Sequence, residues 1–300
     1  MTAAMTTGFL LVDKPQGWTS HDVVAEVRRH IGGKVGHAGT LDPMATGLLV
    51  LGVGRATRLL RFVQGTEKEY LATALFGVAT DSLDADGAIL SRDPLPVTHE
   101  EVAQAMERFR GSIMQIPPMV SARRVEGRRL YELAREGKVV EREARSVTID
   151  KLELVDLAPS DYPEVTFRTV CSTGTYVRTL ADDIARAVGG RAHLTALRRV
   201  RVGNLHVNDA VTVDEVVDAA DAQEIDRILL APGVVLSDFP EIRVDEAMAA
   251  AVRNGRELPG ILMPRGEKAV TTIRISDRGG ELIAVYRRES AALHPEVVLS

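Results

Sequence analysis

One carboxylate, Asp42, stands in a frame of glycines and a proline. Residues 36–49 read Gly-His-Ala-Gly-Thr-Leu-Asp-Pro-Met-Ala-Thr-Gly-Leu-Leu. Gly36, Gly39 and Gly47 admit close backbone approach or a positive φ. Pro43 fixes its own φ and pushes Asp42 toward extended backbone. An acid held in this way can be aimed at a ligand. The same residues have a plainer reading, with Asp42 as a helix N-cap and Pro43 at the first helical position. Local chemistry leaves both open. A second acidic run, Ser82-x-Asp84-x-Asp86-Gly87 with Asp93 six residues after the glycine, has the spacing of a calcium loop. It has Ser at the first ligand position and Asp where a bidentate Glu is needed, and no helix leads into it. A turn between two strands is expected there instead, and no metal.

The elements that must position Asp42 follow from periodicity and caps. Residues 9–12 read as a strand. Thr19 with Asp22, then Val23, Val27 and Ile31, reads as a capped helix ending near Gly32 and Gly33. Residues 70–78 read as a strand. Thr98 with Glu101 starts a helix faced by Val102, Met106 and Phe109. Residues 165–171 form a strand turned at Gly174, and Leu180, Ile184 and Val188 mark a helix that stops at Gly189 and Gly190. Thr212 with Glu215 starts another. Past Phe239 and Pro240 a helix over 245–254 is followed by strand-like runs at 257–263, 269–275 and 282–286, which suggests a small β-rich domain. Strands and helices mixed without regular βαβ units predict an α+β catalytic domain.

A chain of 300 residues is long for one core, so one large domain plus a small one is expected. The single cysteine, Cys171, excludes an intrachain disulfide and fits a reducing cytoplasm. No apolar run approaches the roughly 18 residues of a membrane span, and residues 1–8 do not read as a secretory signal. The net charge of −5 hides segregation. Arg28, Arg29, Lys34, Arg55, Arg58 and Arg61 face only Asp42. Arg186, Arg191, Arg198, Arg199 and Arg201 lie in a stretch, 186–201, with no acid, and residues 209–246 are strongly acidic. Two basic clusters on an acidic chain suggest an oriented polyanion site.

Gly-Thr-Leu-Asp-Pro resembles the signature of pseudouridine synthases of the TruB type. Three more blocks resemble that family in the same order: Asp13-Lys14-Pro15-Gln16-Gly17-Trp18-Thr19-Ser20, Lys68-Glu69-Tyr70, and Ser172-Thr173-Gly174-Thr175-Tyr176-Val177-Arg178. The resemblance implies a catalytic domain over 1–238 with a mixed, largely antiparallel sheet and an RNA-clasping insertion at about 110–150. It also implies a PUA-like domain over 239–300. The implied activity is isomerisation of a uridine in the T-loop of tRNA, position 55, to pseudouridine. Nothing is oxidised or hydrolysed in that reaction, so no cofactor is expected.

By the same resemblance Asp42 is the catalytic aspartate, acting at C6, at C1′ or on a C2′ proton, and Arg178 pairs with it. A cation there is expected to lower the Asp42 pKa. Tyr70 stacks on the uracil, and its hydroxyl is placed to take the C5 proton. Tyr176 and Leu197 line the pocket, and His37 fills the space that flipped bases leave. In the insertion Arg124, Arg128 and Arg129 contact RNA, with Arg124 where the family usually has Lys. The resemblance implies a stand-alone monomer bound to the T-arm, in the cytoplasm. Its rivals are a non-catalytic tRNA-folding protein and a guide-RNA-dependent synthase.

Overall fold

Strand β1 (Gly8–Lys14) divides its side chains between two interiors, since successive residues of a strand point to opposite faces. Phe9 and Leu11 enter one core, Leu10 and Val12 another, and all four are buried. The chain is seen here as a computed structural model that describes residues 7–118, 124, 125, 128, 129, 140, 142–259, 271–289 and 292–299. Strand β2 (Val35–His37) and β1 both pair antiparallel with β3 (Thr46–Val53). Every residue of β3 after Thr46 is buried. An unbroken apolar run of this kind belongs to a strand covered on both faces.

Strands β4 (Lys68–Phe76), β5 (Val78–Thr80), β6 (Ile89–Arg92) and β7 (Gly111–Gln115) follow, then the two-residue pair β8 (Arg124–Val125) and β9 (Arg128–Arg129). After them come β10 (Arg145–Ala158), β11 (Glu164–Cys171), β12 (Ala192–Val202) and β13 (Leu205–His206). The main sheet runs β1-β3-β12-β4-β11-β10-β7, with β2 on β3 and β13 on β12. Among the described strands of this sheet only β12 and β3 pair in parallel, so the expected α+β fold with a mixed, largely antiparallel sheet is what forms. The parallel contact is tight. Gly47, at φ +100°, leaves no room for a Cβ, which would stand 2.3 Å from the Arg199 carbonyl oxygen.

The Thr19 capping box starts a helix at Ser20–Ile31, and the Thr98 and Thr212 boxes start helices at His99–Glu107 and Val213–Asp221. Val23 and Val27 from the first, with Val213 and Val216 from the third, cover Leu10, Leu49 and Leu51. The helix Val177–Ala187 packs Leu180, Ala181 and Ile184 with Phe76, Phe167 and Leu194.

A second sheet is built from β14 (Glu241–Arg243), β15 (Leu258–Pro259), β16 (Thr272–Ser276), β17 (Leu282–Glu289) and β18 (Ala292–Val298), in the order β14-β16-β17-β18-β15. Asp245 caps its helix, Glu246–Arg253. One face buries Ile273, Ile275, Tyr286 and Leu293 in a core of its own. The other sends Leu282, Val285 and Val297 into the core of Phe9, Leu48 and Val50. The expected strand runs at 257–263 and 269–275 are seen as β15 and β16, and residues 260–270 lie outside the described residues. Among the described residues no helix is long and apolar enough to cross a membrane.

Several arginines of the charge clusters have partners within the fold. Arg55, Arg58 and Arg61 donate to the main-chain carbonyls of Leu299, Val298 and Glu296 at 3.0, 2.6 and 3.3 Å, clasping β18. Arg186 and Arg191 both bind Asp182, Arg198 binds Asp13, and Arg201 binds Glu69. These arginines are tied to carbonyl or carboxylate partners, and the side chains of Arg186 and Arg198 stay 54% and 39% exposed.

Candidate active site

The turn carrying Asp42 joins β2 to β3, and side chains from three elements fix it. Ser20, buried at the first position of its helix, accepts from the Leu41 amide at 2.8 Å and donates to the Leu41 carbonyl at 3.2 Å. Lys14, fully buried at the end of β1, donates from Nζ to the carbonyls of Pro15, Trp18 and Pro43 at 2.9, 2.6 and 3.3 Å. Arg199 on β12 donates from Nη2 to the Gly39 carbonyl at 3.1 Å and from Nε to the Leu48 carbonyl at 2.7 Å. The Gly17 amide also donates to the Pro43 carbonyl, at 2.8 Å. The block from Asp13 to Ser20 thus acts as the brace of the Asp42 turn. No helix begins at Asp42, and the Ala45 amide closes a turn on its carbonyl. That removes the helix-cap reading.

The Asp42 carboxylate lies 3.1 Å from Nε of Arg178, which is buried in the first turn of its helix. Arg178 also reaches Asp84 through Nη1 at 2.9 Å and the Ser82 carbonyl at 2.8 Å. One guanidinium therefore spans two carboxylates. Asp84 sits in the turn between β5 and β6, where the sequence showed only a rejected calcium loop. The turn reading was right, but the partnership with Arg178 had no local signal. Burial raises the Asp42 pKa above its ordinary value, Arg178 opposes the rise, and Asp84 adds to it. The expected lowering by Arg178 is outweighed because the carboxylate gives up more solvation than one shared cation returns.

Asp42, Arg178, Tyr70, Tyr176 and Leu197 line one cavity of about 280 Å³, together with Gly39, Lys68, the 172–175 turn and Arg199. Tyr70 lies on β4 opposite Arg199 of β12, so the two side chains share a face. Burial raises the Tyr70 phenol, and the Arg199 charge works against that rise. Leu197, 7% exposed, is at once a core residue and a cavity wall. Tyr176 is pinned by its backbone, its amide donating to Gln115 Oε1 at 2.7 Å and its carbonyl accepting from Gln115 Nε2 at 3.0 Å. Lys68 bonds the carbonyls of Gln64 and Thr66, and burial pulls its ammonium down to about 8. Lys14 falls to about 8 for the same reason, with Asp42 opposing.

His37 is not on the cavity wall. It ends β2 and meets His21 edge-on at 5.5 Å, and burial lowers its pKa. Arg124 pairs with Arg129, and Val125 with Arg128, through the backbone of β8 and β9. The side chains of all three arginines lie outside the described residues, as does most of the expected insertion. Among the described residues no group of His, Cys, Asp and Glu is arranged to hold a metal.

Comparison with known proteins agrees with this geometry. The pattern described as "TruB family pseudouridylate synthase (N terminal domain)" matches residues 27–177. That of the "tRNA pseudouridylate synthase B C-terminal domain" matches 178–235. The chain is 43% identical to a tRNA pseudouridine synthase B of Thermobifida fusca over 99% of each chain. It is also 43% identical to one from Burkholderia lata over 96% of this chain and 89% of that one. Among solved structures, a chain of a Cbf5-Nop10-Gar1 complex superposes with a TM-score of 0.77 at 26% identity, covering 98% of this chain and 85% of that one. With the Asp42 turn, its arginine and the enclosing sheet all in place, the chain belongs to the TruB family of pseudouridylate synthases.

Proposed function

We propose that this protein converts a uridine in the T-loop of tRNA, at position 55, to pseudouridine, working as a stand-alone monomer in the cytoplasm. The observation that carries the proposal is a single carboxylate, Asp42, 3.1 Å from a buried arginine on the wall of a cavity shared with Tyr70 and Leu197. The reaction breaks the bond from ribose C1′ to N1, turns the uracil, joins C5 to C1′ and releases the C5 proton. Atoms are conserved, and the site needs only a carboxylate, a stacking surface and a place for one proton.

In this reading Asp42 acts at the base or sugar, and Arg178 keeps its carboxylate oriented. Tyr70 and Leu197 hold the uracil while it turns, and the Tyr70 hydroxyl is assigned the C5 proton. A uridine inside a folded loop must leave its stack to enter the cavity. That costs a few kcal/mol, offset by stacking and backbone contacts. His37, beside the turn, is proposed to occupy the vacated space, and Arg124, Arg128 and Arg129 to contact phosphates. Residues 239–300 are assigned to RNA outside the T-loop or to buttressing the catalytic domain, and supply no catalytic group.

Tritium release from T-arm RNA labelled at uracil C5 tests the reading. Release that is stoichiometric with RNA supports it. Binding without release would leave a tRNA-folding protein. Release only in the presence of a second, guiding RNA would place the chain with guide-dependent enzymes.

A further inference from the structure

Arg199 is the largest fully buried side chain of the protein's described residues. A buried guanidinium must be paired or hydrogen-bonded. The hydrogen bonds seen for Arg199 run to the carbonyls of Gly39 and Leu48, at the two ends of the Asp42 turn. Its own backbone sits against Gly47, where no Cβ fits. Arg199 is therefore built into the Asp42 turn. It also faces Tyr70 across the β4–β12 pairing and lines the same cavity.

We propose that Arg199 is a positioning residue which sets the Asp42 turn and the Tyr70 hydroxyl in one rigid frame. A guanidinium only donates hydrogen bonds. In the proposed frame the Tyr70 oxygen accepts from Arg199, and its second lone pair and its O–H are left to face the cavity. The hydroxyl is thereby aimed at the uracil, and one side chain fixes its distance from the Asp42 carboxylate. The electrostatics agree: the Arg199 charge acts on the Tyr70 phenol in the direction of a donor on its oxygen. The proposal deepens the isomerase reading and rests on it.

The test is a double-mutant cycle in single-turnover tritium release, with Arg199→Lys, Tyr70→Phe and the pair, all on saturating T-arm RNA. Interacting groups give non-additive losses. Arg199→Lys keeps the charge and loses the fork, and is expected to slow release at least tenfold with RNA affinity within threefold of wild type. In the Tyr70→Phe background the same change is expected to cost less than threefold. An equal loss in both backgrounds would mean that Arg199 acts through the turn alone and would overturn the proposal, as would a wild-type rate for Arg199→Lys. If Arg199→Lys fails to fold, Arg199→Gln takes its place in the cycle. Nitrogen-15 NMR of the guanidinium gives a second reading without altering Arg199. Two exchange-protected Nη proton signals are expected in the wild type, one from the bond to the Gly39 carbonyl and one facing Tyr70; the second is expected to be lost in Tyr70→Phe, and retention of both overturns the proposal. A wild-type protein that releases no tritium would remove the isomerase reading itself, a distinguishable result.

Discussion

At the scale of single residues, the proposed reading gives the chemistry to Asp42 and its control to Arg178. Asp42→Asn is expected to abolish tritium release while tRNA affinity stays within a few-fold, because the contact area is unchanged and only the charge is lost. Filter binding and release assays on the same preparation check this, and substantial residual turnover would remove Asp42 from its role. The pH dependence follows from the sign of the shift. The Asp42 carboxyl lies above its ordinary value, about 3.9, so the acid limb of the rate profile is expected above that value. Arg178 opposes the shift, so Arg178→Met should move the limb further up and cost more activity at pH 6 than at pH 8. A limb that stays put would mean Arg178 does not act on the Asp42 proton. Asp84 shares the guanidinium at 2.9 Å, and Asp84→Asn should lower turnover with little change in RNA affinity. The pairing of Asp42 with Arg178 was legible through four sequence blocks. Asp84 was not, because its partner lies 94 residues away and nothing near it marks the contact.

At the scale of elements, the capping boxes at Thr19, Thr98 and Thr212 were legible because a cap is written within four residues. Strands β3, β10 and β12 were not. In β3 both faces are covered, so the alternation that marks a strand is missing. In β12 the arginines at 198, 199 and 201 read as a charged patch, although each is held by a partner from another strand or turn. The brace around Asp42 gives a test at this scale. Ser20→Ala removes both bonds to Leu41, about 1–3 kcal/mol for buried groups left unsatisfied. It is expected to lower the thermal midpoint and kcat together, with KM for tRNA nearly unchanged. A change in KM alone would show that the turn is set by something other than Ser20.

At the scale of the whole molecule, RNA affinity is expected to fall with salt, with roughly 0.7–0.9 in the log–log slope for each phosphate contact. Replacing Arg128 and Arg129 by Ala should flatten the slope by about two such contacts, and an unchanged slope would place β9 away from the RNA. Arg186 is paired with Asp182, so exchanging Arg186 for Ala should leave the slope alone. The texture change at Phe239 suggested a separable unit, and the local sequence could not show that the second sheet turns a face toward β1. Leu282, Val285 and Val297 pack with Phe9 and Leu48, and three arginines clasp β18. Truncation after residue 238 is accordingly expected to lower the stability of the remaining chain, read as its thermal midpoint, as well as to raise KM for full-length tRNA. A truncated chain as stable as the whole would show that this shared core contributes little.

The clasp also has a consequence for how the protein comes into being. A nascent chain emerges N-terminus first, and domains tend to fold as units while it does so. Here Arg55 reaches a carbonyl 244 positions further along, and Phe9 lies in a core completed by residues of β17 and β18. Contacts of such long range form slowly, because a large loop must close before they return any stabilisation. One flank of β1 therefore stays only partly covered until β17 and β18 have left the ribosome, and a strand made before them waits on them to be sealed.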